Sequence, residues 1–220
     1  MSQLLLDLFT DELPSFDDFI AGENEGVLRL LRMGQESSVY LWGNTGTGKT
    51  YLAQSWVAYW QSMGNNALYI GKQKNMLFRL PENIDFVAVD DVHLCDESQA
   101  AALFTCFNQW QNAHVKMLFT AISPPMYLPL REDVRTRMAW GTVYEMRSLS
   151  DDDKIKALRT WAKHRQLPID DAVFIYLLRY YSRDLGKLSV CLKDLDAYAL
   201  QQKRNITIPL VQHFLKQESN

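Results

Sequence analysis

The run Gly43-Asn44-Thr45-Gly46-Thr47-Gly48-Lys49-Thr50 has the residue types and spacing that hold a phosphate chain, G-x-x-x-x-G-K-[ST]. Glycines let main-chain N–H groups converge on an anion without side-chain obstruction. A helix starting where the loop ends turns its positive end toward the same anion. Lys49 can then reach the β- and γ-phosphates, and the Thr50 hydroxyl can ligate Mg²⁺. Tyr51, the next residue, joins the expected nucleotide contacts. The competing reading is a glycine-rich turn with no ligand; the apolar run before it and the amphipathic stretch after it favour phosphate. Asp90 and Asp91 close another apolar run. Alone they would be a solvated turn or a cap. Beside a phosphate loop, Asp90 suits a metal-holding carboxylate at a strand end, and Asp91 stands where a base or water-orienting acid would act. Aspartate is one methylene shorter than glutamate for that second task.

These groups need a scaffold that brings strand ends together. Val39 to Trp42, Ala67 to Ile70, Phe86 to Val89, Val115 to Ala121 and Thr142 to Met146 are short apolar runs, the last the weakest. Between them, residues 49–63 carry Leu52, Trp56 and Tyr59 or Trp60 at helical spacing, and 98–113 carry Leu103, Phe107 and Trp110 on one face. Such alternation predicts an α/β fold, a parallel sheet covered by helices on both faces. After Leu149 the pattern becomes helical only. Ser150 before Asp151, Asp152 and Asp153 reads as an N-cap with acids in the first turn. Phe174, Leu177, Leu178 and Tyr181 form one stripe, Leu185, Leu188, Leu192 and Leu195 another, and Thr207-Ile208-Pro209 opens a last short helix. The expected organisation is a tail over 1–13, an α/β nucleotide-binding domain over 14–148 and a helical lid over 149–220.

Composition narrows the class. In 220 residues, 47% are apolar and 22% charged, which fits a globular protein with a real core and excludes a disordered, collagen-like or disulfide-scaffold chain. A net charge of −3 argues against non-specific nucleic-acid binding by the whole molecule. Cys95, Cys106 and Cys191 are scattered in apolar surroundings and read as core thiols of a reducing compartment; the four histidines lack metal-ligand spacing. No segment reaches the ~18 apolar residues of a membrane span, and the N-terminus lacks the layout of a signal peptide. The expected location is the cytoplasm.

Two further groups invite a partner. Arg131, Arg135 and Arg137 precede Trp140-Gly141. They read either as a solvated basic helix face, which suits Arg131 best, or as an arginine offered to a neighbouring subunit's γ-phosphate. Gln3-Leu4-Leu5-Leu6-Asp7-Leu8-Phe9 is apolar and is set off by Asp11-Glu12-Leu13-Pro14. It either folds onto its own domain or serves another protein as an extended peptide with a few anchors.

The phosphate loop, Phe86-Val87-Ala88-Val89-Asp90-Asp91 and the helical stretch after the sheet resemble the AAA+ ATPases, specifically the clade of the bacterial replication initiator DnaA. Phe16-Asp17-Asp18-Phe19 looks like the segment that flanks adenine there, which adds Phe19 to the expected contacts. The likeness covers residues 14–215 and includes no helix-turn-helix DNA-reading domain. A regulatory branch of the clade is closer: it promotes ATP hydrolysis on DnaA while tethered to the DNA polymerase III sliding clamp (the β subunit). In that resemblance Gln3, Leu4, Leu6, Leu8 and Phe9 are clamp-binding anchors. Arg135-Thr136-Arg137-Met138-Ala139-Trp140-Gly141 followed by Leu149-Ser150-Asp151-Asp152-Asp153-Lys154 resembles the stretch that carries its arginine finger, on Arg137.

Two departures stand out. Thr120-Ala121-Ile122-Ser123 lacks the expected acidic sensor near Ile122, where Thr120 or Ser123 could offer a hydroxyl. In the lid, Gly186 falls where a sensor arginine is expected, with Lys187 beside it, and a lysine does not reproduce a guanidinium fork. Together these imply a bound adenine nucleotide, ADP rather than ATP, with Mg²⁺ and weak self-hydrolysis. The resulting expectation is a negative regulator of replication initiation. It acts on DnaA in trans and meets DNA only through the clamp, with self-association left open. An autonomous AAA+ ATPase resembling a helicase loader is the alternative, and a direct DNA-binding module a third reading.

Overall fold

The structure, a computed structural model, describes residues 14–71 and 83–218. Their strands form one five-stranded sheet: β1 (Ser38–Trp42), β2 (Ala67–Ile70), β3 (Phe86–Val89), β4 (Lys116–Ala121) and β5 (Thr142–Glu145). The order is β2-β3-β4-β1-β5 and every pairing is parallel. All five runs expected from the sequence are strands. The first helices are α1 (Glu25–Met33), α2 (Lys49–Ser62), α3 (Glu97–Asn112) and α4 (Glu132–Met138).

Successive strand side chains point to opposite faces, and both faces are apolar because both are covered. Val39, Leu41, Phe86, Ala88 and Leu118 pack in one core with Val27 and Leu31 of α1 and Leu52, Ala53 and Trp56 of α2. Tyr40, Val87, Val89, Met117 and Phe119 pack in the other with Leu103, Cys106, Phe107 and Trp110 of α3 and Val134 and Met138 of α4. Asp96 caps α3 in a reciprocal arrangement with Gln99. Strand β5, at the sheet edge, only half-buries alternate residues and exposes the others, which accounts for its weak apolar signal. At its start, Gly141 (φ +102°) passes so close to β1 that a side-chain carbon there would lie 2.4 Å from the Ser38 carbonyl oxygen.

Helix α1 was not among the elements expected from the sequence. It is only nine residues long, and its end is marked by Gly34 in the left-handed conformation, whose N–H bonds the Leu30 carbonyl. The helix matters because the chain before it is tied down. The amide of buried Asn24 donates to the Ala21 carbonyl (3.0 Å) and the Arg147 carbonyl (2.9 Å), and its oxygen accepts from the Arg147 N–H (2.8 Å). The clamp joins the N-terminal segment to the chain leaving β5.

Beyond it comes an all-helical unit: α5 (Asp151–His164), α6 (Asp171–Tyr180), α7 (Leu185–Gln202) and α8 (Ile208–Glu218). Ser150, Asp170 and Asp184 accept backbone N–H bonds as N-caps of α5, α6 and α7. Leu158, Phe174, Leu177, Leu188, Leu192, Leu195 and Val211 form its separate core. Cys95, Cys106 and Cys191 are buried and form no disulfide. Among the described residues no helix is long and apolar enough to cross a membrane.

Replacing Asn24 by alanine leaves buried carbonyl and N–H groups without their side-chain partner. Asn24→Ala is expected to lower the unfolding free energy by about 2–3 kcal/mol, read as an earlier midpoint in urea denaturation.

Candidate functional site

The three strands that matter end at one edge. Parallel β1 runs into the loop 43–50, β3 into Asp90-Asp91, and β4 lies between them, with Leu41 level with Thr120. Parallel sheets bind ligands outside such carboxyl ends.

The loop has the backbone its glycines permit. Gly43, Gly46 and Gly48 have φ of +153°, +81° and +89°. A side-chain carbon on Gly43 would stand 2.4 Å from the Met146 carbonyl, and one on Gly48 2.9 Å from the Phe19 ring. Lys49, 6% exposed, donates from Nζ to the Gly43 and Asn44 carbonyls, each at 2.8 Å, and to Thr47 Oγ1 at 3.3 Å. Burial holds its ammonium below the usual lysine range, and the fields of Asp91, Asp90 and Asp184 oppose that fall. Helix α2 begins at Lys49 without a side-chain cap, so its first N–H groups are unclaimed by an N-cap side chain. Thr50 is exposed at that helix start. Glycine backbone, a buried cation and a helix N-terminus together fit a polyphosphate.

Asp90 is buried, and both carboxylate oxygens are engaged. Tyr69 Oη donates to Oδ2 (2.8 Å), and the Thr120 hydroxyl donates to Oδ1 in a very short bond. The same Thr120 oxygen accepts the Asp91 N–H at 2.8 Å. Burial, with the Asp90 charge next, pushes the Tyr69 phenol well above the tyrosine range, so it stays a donor. Asp91 takes a left-handed conformation (φ +51°), and its carboxylate stands 3.9 Å from His93 Nδ1. Of the two hydroxyls considered in place of a sensor, Thr120 fixes this acidic pair. Ser123 instead offers its main-chain carbonyl, to Tyr40 Oη at 2.9 Å.

The N-terminal segment closes one flank. Phe16–Asp18 form a single turn capped by Ser15. Phe19 lies against Gly48 and stacks on Tyr51 with ring centroids 5.9 Å apart. Tyr51 Oη in turn bonds the Ser15 backbone, accepting its N–H at 3.3 Å and donating to its carbonyl at 3.2 Å. Phe19, the loop and Tyr51 thus lie together. Asp18 bridges to His164 of α5 at 3.1 Å, joining this flank to the helical unit.

The helical unit meets the loop through a residue the sequence reading passed over. Asp184, just before α7, lies against Gly46. Lys187 is exposed in the first turn of α7, where its N–H serves as Asp184's cap partner. Arg183, adjacent to Asp184, is an arginine at the lid's approach that the focus on Gly186 missed; it pairs with Asp151 at 3.1 Å. Its signal was the basic-acidic pair directly before a helix.

Arg137 belongs to a different surface. It sits in the last turn of α4, with its guanidinium 5.2 Å over the Phe104 ring and Nε donating to Asn108 Oδ1 at 3.1 Å. Both partners are on α3. Arg135 donates to the Met126 carbonyl (3.3 Å), and Arg131 pairs with Asp133 at 2.6 Å. Gln3, Leu4, Leu6, Leu8 and Phe9 lie outside the described residues.

Residues 151–215, the helical unit, match the family model described as the Hda lid domain. The helical unit is thus similar to the Hda lid domain, carried beside a DnaA-like AAA+ fold. Domain III of Thermotoga maritima DnaA superposes with a TM-score of 0.79 at 16% identity, covering 92% of this chain and 95% of that one. AMPPCP-bound DnaA of Aquifex aeolicus gives 0.67 at 19% identity, over 86% of this chain and 66% of that one. The RuvB Holliday junction branch migration motor of Thermotoga maritima gives 0.64 at 17%, over 92% and 71%. At these identities the superpositions establish the AAA+ fold, and the family match concerns residues 151–215.

Thr120→Val keeps the shape but removes the hydroxyl shared by Asp90 and Asp91. It is expected to cost about 1–3 kcal/mol of stability, measured by chemical denaturation.

Proposed function

We infer that this chain is a negative regulator of replication initiation that holds an adenine nucleotide itself and stimulates ATP hydrolysis by DnaA in trans. The observation that carries this reading is the separation of Arg137 from the chain's own phosphate loop. Its guanidinium is braced on α3 by Phe104 and Asn108, while Lys49, Asp90 and Asp91 gather at the ends of β1 and β3. A fixed guanidinium on an outer helix suits insertion into a neighbouring molecule's site, where it stabilises charge developing on the transferred phosphoryl group.

The chain's own nucleotide is held by the backbone of 43–48, by Lys49 and by the start of α2, with Phe19 and Tyr51 on the base side. Thr50 and Asp90 would hold Mg²⁺, with the Asp90 carboxylate oriented by Tyr69 and Thr120. The negative charge of such a nucleotide would be neutralised by the loop N–H groups and Lys49. ADP is the favoured resident, because the sensor departures weaken transition-state contacts more than phosphate binding. The tail residues Gln3, Leu4, Leu6, Leu8 and Phe9 dock on the sliding clamp, which raises the local concentration of the regulator near replicating DNA without strong pairwise affinity.

Arg137→Ala is expected to retain nucleotide and lose stimulation of DnaA hydrolysis, where an arginine finger contributes ~10³–10⁵ in rate; normal stimulation by the variant would overturn the assignment. The intact Lys49 and Asp90 geometry also favours a second reading, an autonomous ATPase. Rapid turnover by the chain alone that disappears in Lys49→Ala would select it. Joint replacement of Gln3, Leu8 and Phe9 by alanine is expected to abolish retention on immobilised clamp while the melting transition stays in place.

A further inference from the structure

The lid approaches the phosphate loop with a negative charge. Asp184 Cγ and Oδ2 each lie 3.1 Å from the position a side-chain carbon on Gly46 would occupy, and Oδ1 lies 3.4 Å away. The carboxylate is held there from two directions. Oδ1 accepts the Lys187 N–H (3.1 Å) as the cap of α7, and the Asp184 N–H donates to Ser182 Oγ (3.1 Å). Capping alone does not call for a charge, since asparagine and serine cap as well as aspartate. Yet this carboxylate, with Asp90 and Asp91, is one of three whose fields reach Lys49. Lys49 is the cation that serves the β/γ end of a phosphate chain. The neighbouring lid arginine, Arg183, is paired with Asp151 rather than with Asp184.

We propose that Asp184 is a charge gate on the lid, disfavouring a third phosphate at the 43–50 loop and so making lid closure depend on phosphate number. The proposal rests on the nucleotide-binding reading above and adds the residue that sets its selectivity. A diphosphate leaves Lys49 balanced between one anionic ligand and the surrounding carboxylates. The extra charge of a triphosphate falls at the Lys49 end, close to Asp184, in a partly buried crevice where screening is weak. Closure then costs more, and α7 is driven away from the loop. Because Asp184 is also the cap of α7, the repulsion acts directly on the lid helix.

The test compares the affinity of the full chain for ADP and for a non-hydrolysable ATP analogue, both with Mg²⁺, in the unaltered protein and in Asp184→Asn. Asparagine keeps the cap and removes the charge. The expected result is roughly tenfold relative tightening of the ATP analogue against ADP in the variant, with ADP affinity changed little. An unchanged affinity ratio in Asp184→Asn overturns the gate and leaves the nucleotide reading standing. Failure of the unaltered protein to bind either nucleotide overturns both.

Discussion

A buried ammonium held by its own loop is the interaction on which the rest of the site depends. Lys49 is taken out of water and compensated by the Gly43 and Asn44 carbonyls and the Thr47 hydroxyl. That arrangement requires the chain to turn back on itself between β1 and α2, and the glycine conformations at Gly43, Gly46 and Gly48 allow it. Side chains at Gly43 or Gly48 would meet Met146 or Phe19. The loop therefore keeps its shape only while strand β5's exit and the N-terminal segment stay where they are. The acidic pair is set by the same sheet. Thr120 on the intervening strand fixes Asp90 through its hydroxyl proton and Asp91 through its oxygen.

The helical unit is coupled to this centre at several points of different chemistry. Asn24 fastens the N-terminal segment to the chain that leaves β5, immediately before the lid begins. Asp18 meets His164 of α5. Asp184 brings the start of α7 to Gly46. A displacement of the lid thus disturbs the segment that carries Phe19 as well as the phosphate loop. In the proposed reading, the Arg137 surface on α4 and α3 is the output, and nucleotide sets the geometry in which it is presented. The two helical layers on opposite faces of the sheet keep those tasks apart: α2 begins at the loop, whereas α4 packs with α3 on the other side.

The parts legible in the sequence are those with local signals. The five strands were readable because β1, β3 and β4 are central and buried on both faces, giving unbroken apolar runs. Ser150 and the three acids after it announced α5, and the stripes at 174–181 and 185–195 announced the lid helices. The phosphate loop is a contiguous motif, so its residues could be named directly. Helix α1 was missed because it is short, with two fully buried positions, Val27 and Leu31. Asn24 was missed because its three bonds run mostly to a residue 123 positions away.

What the sequence by itself determined is the α/β-then-helical order, the glycine-rich loop after β1 and the acids at the end of β3, because each is written in neighbouring residues. Only the tertiary structure decided that Thr120 fixes both aspartates, that Asn24 ties the N-terminal segment to the chain leaving β5, that Arg137 is braced on α3, and that the lid faces the loop with Asp184. Those contacts join residues far apart in the chain. Their partners are chosen by strand order and helix packing, which no local pattern encodes.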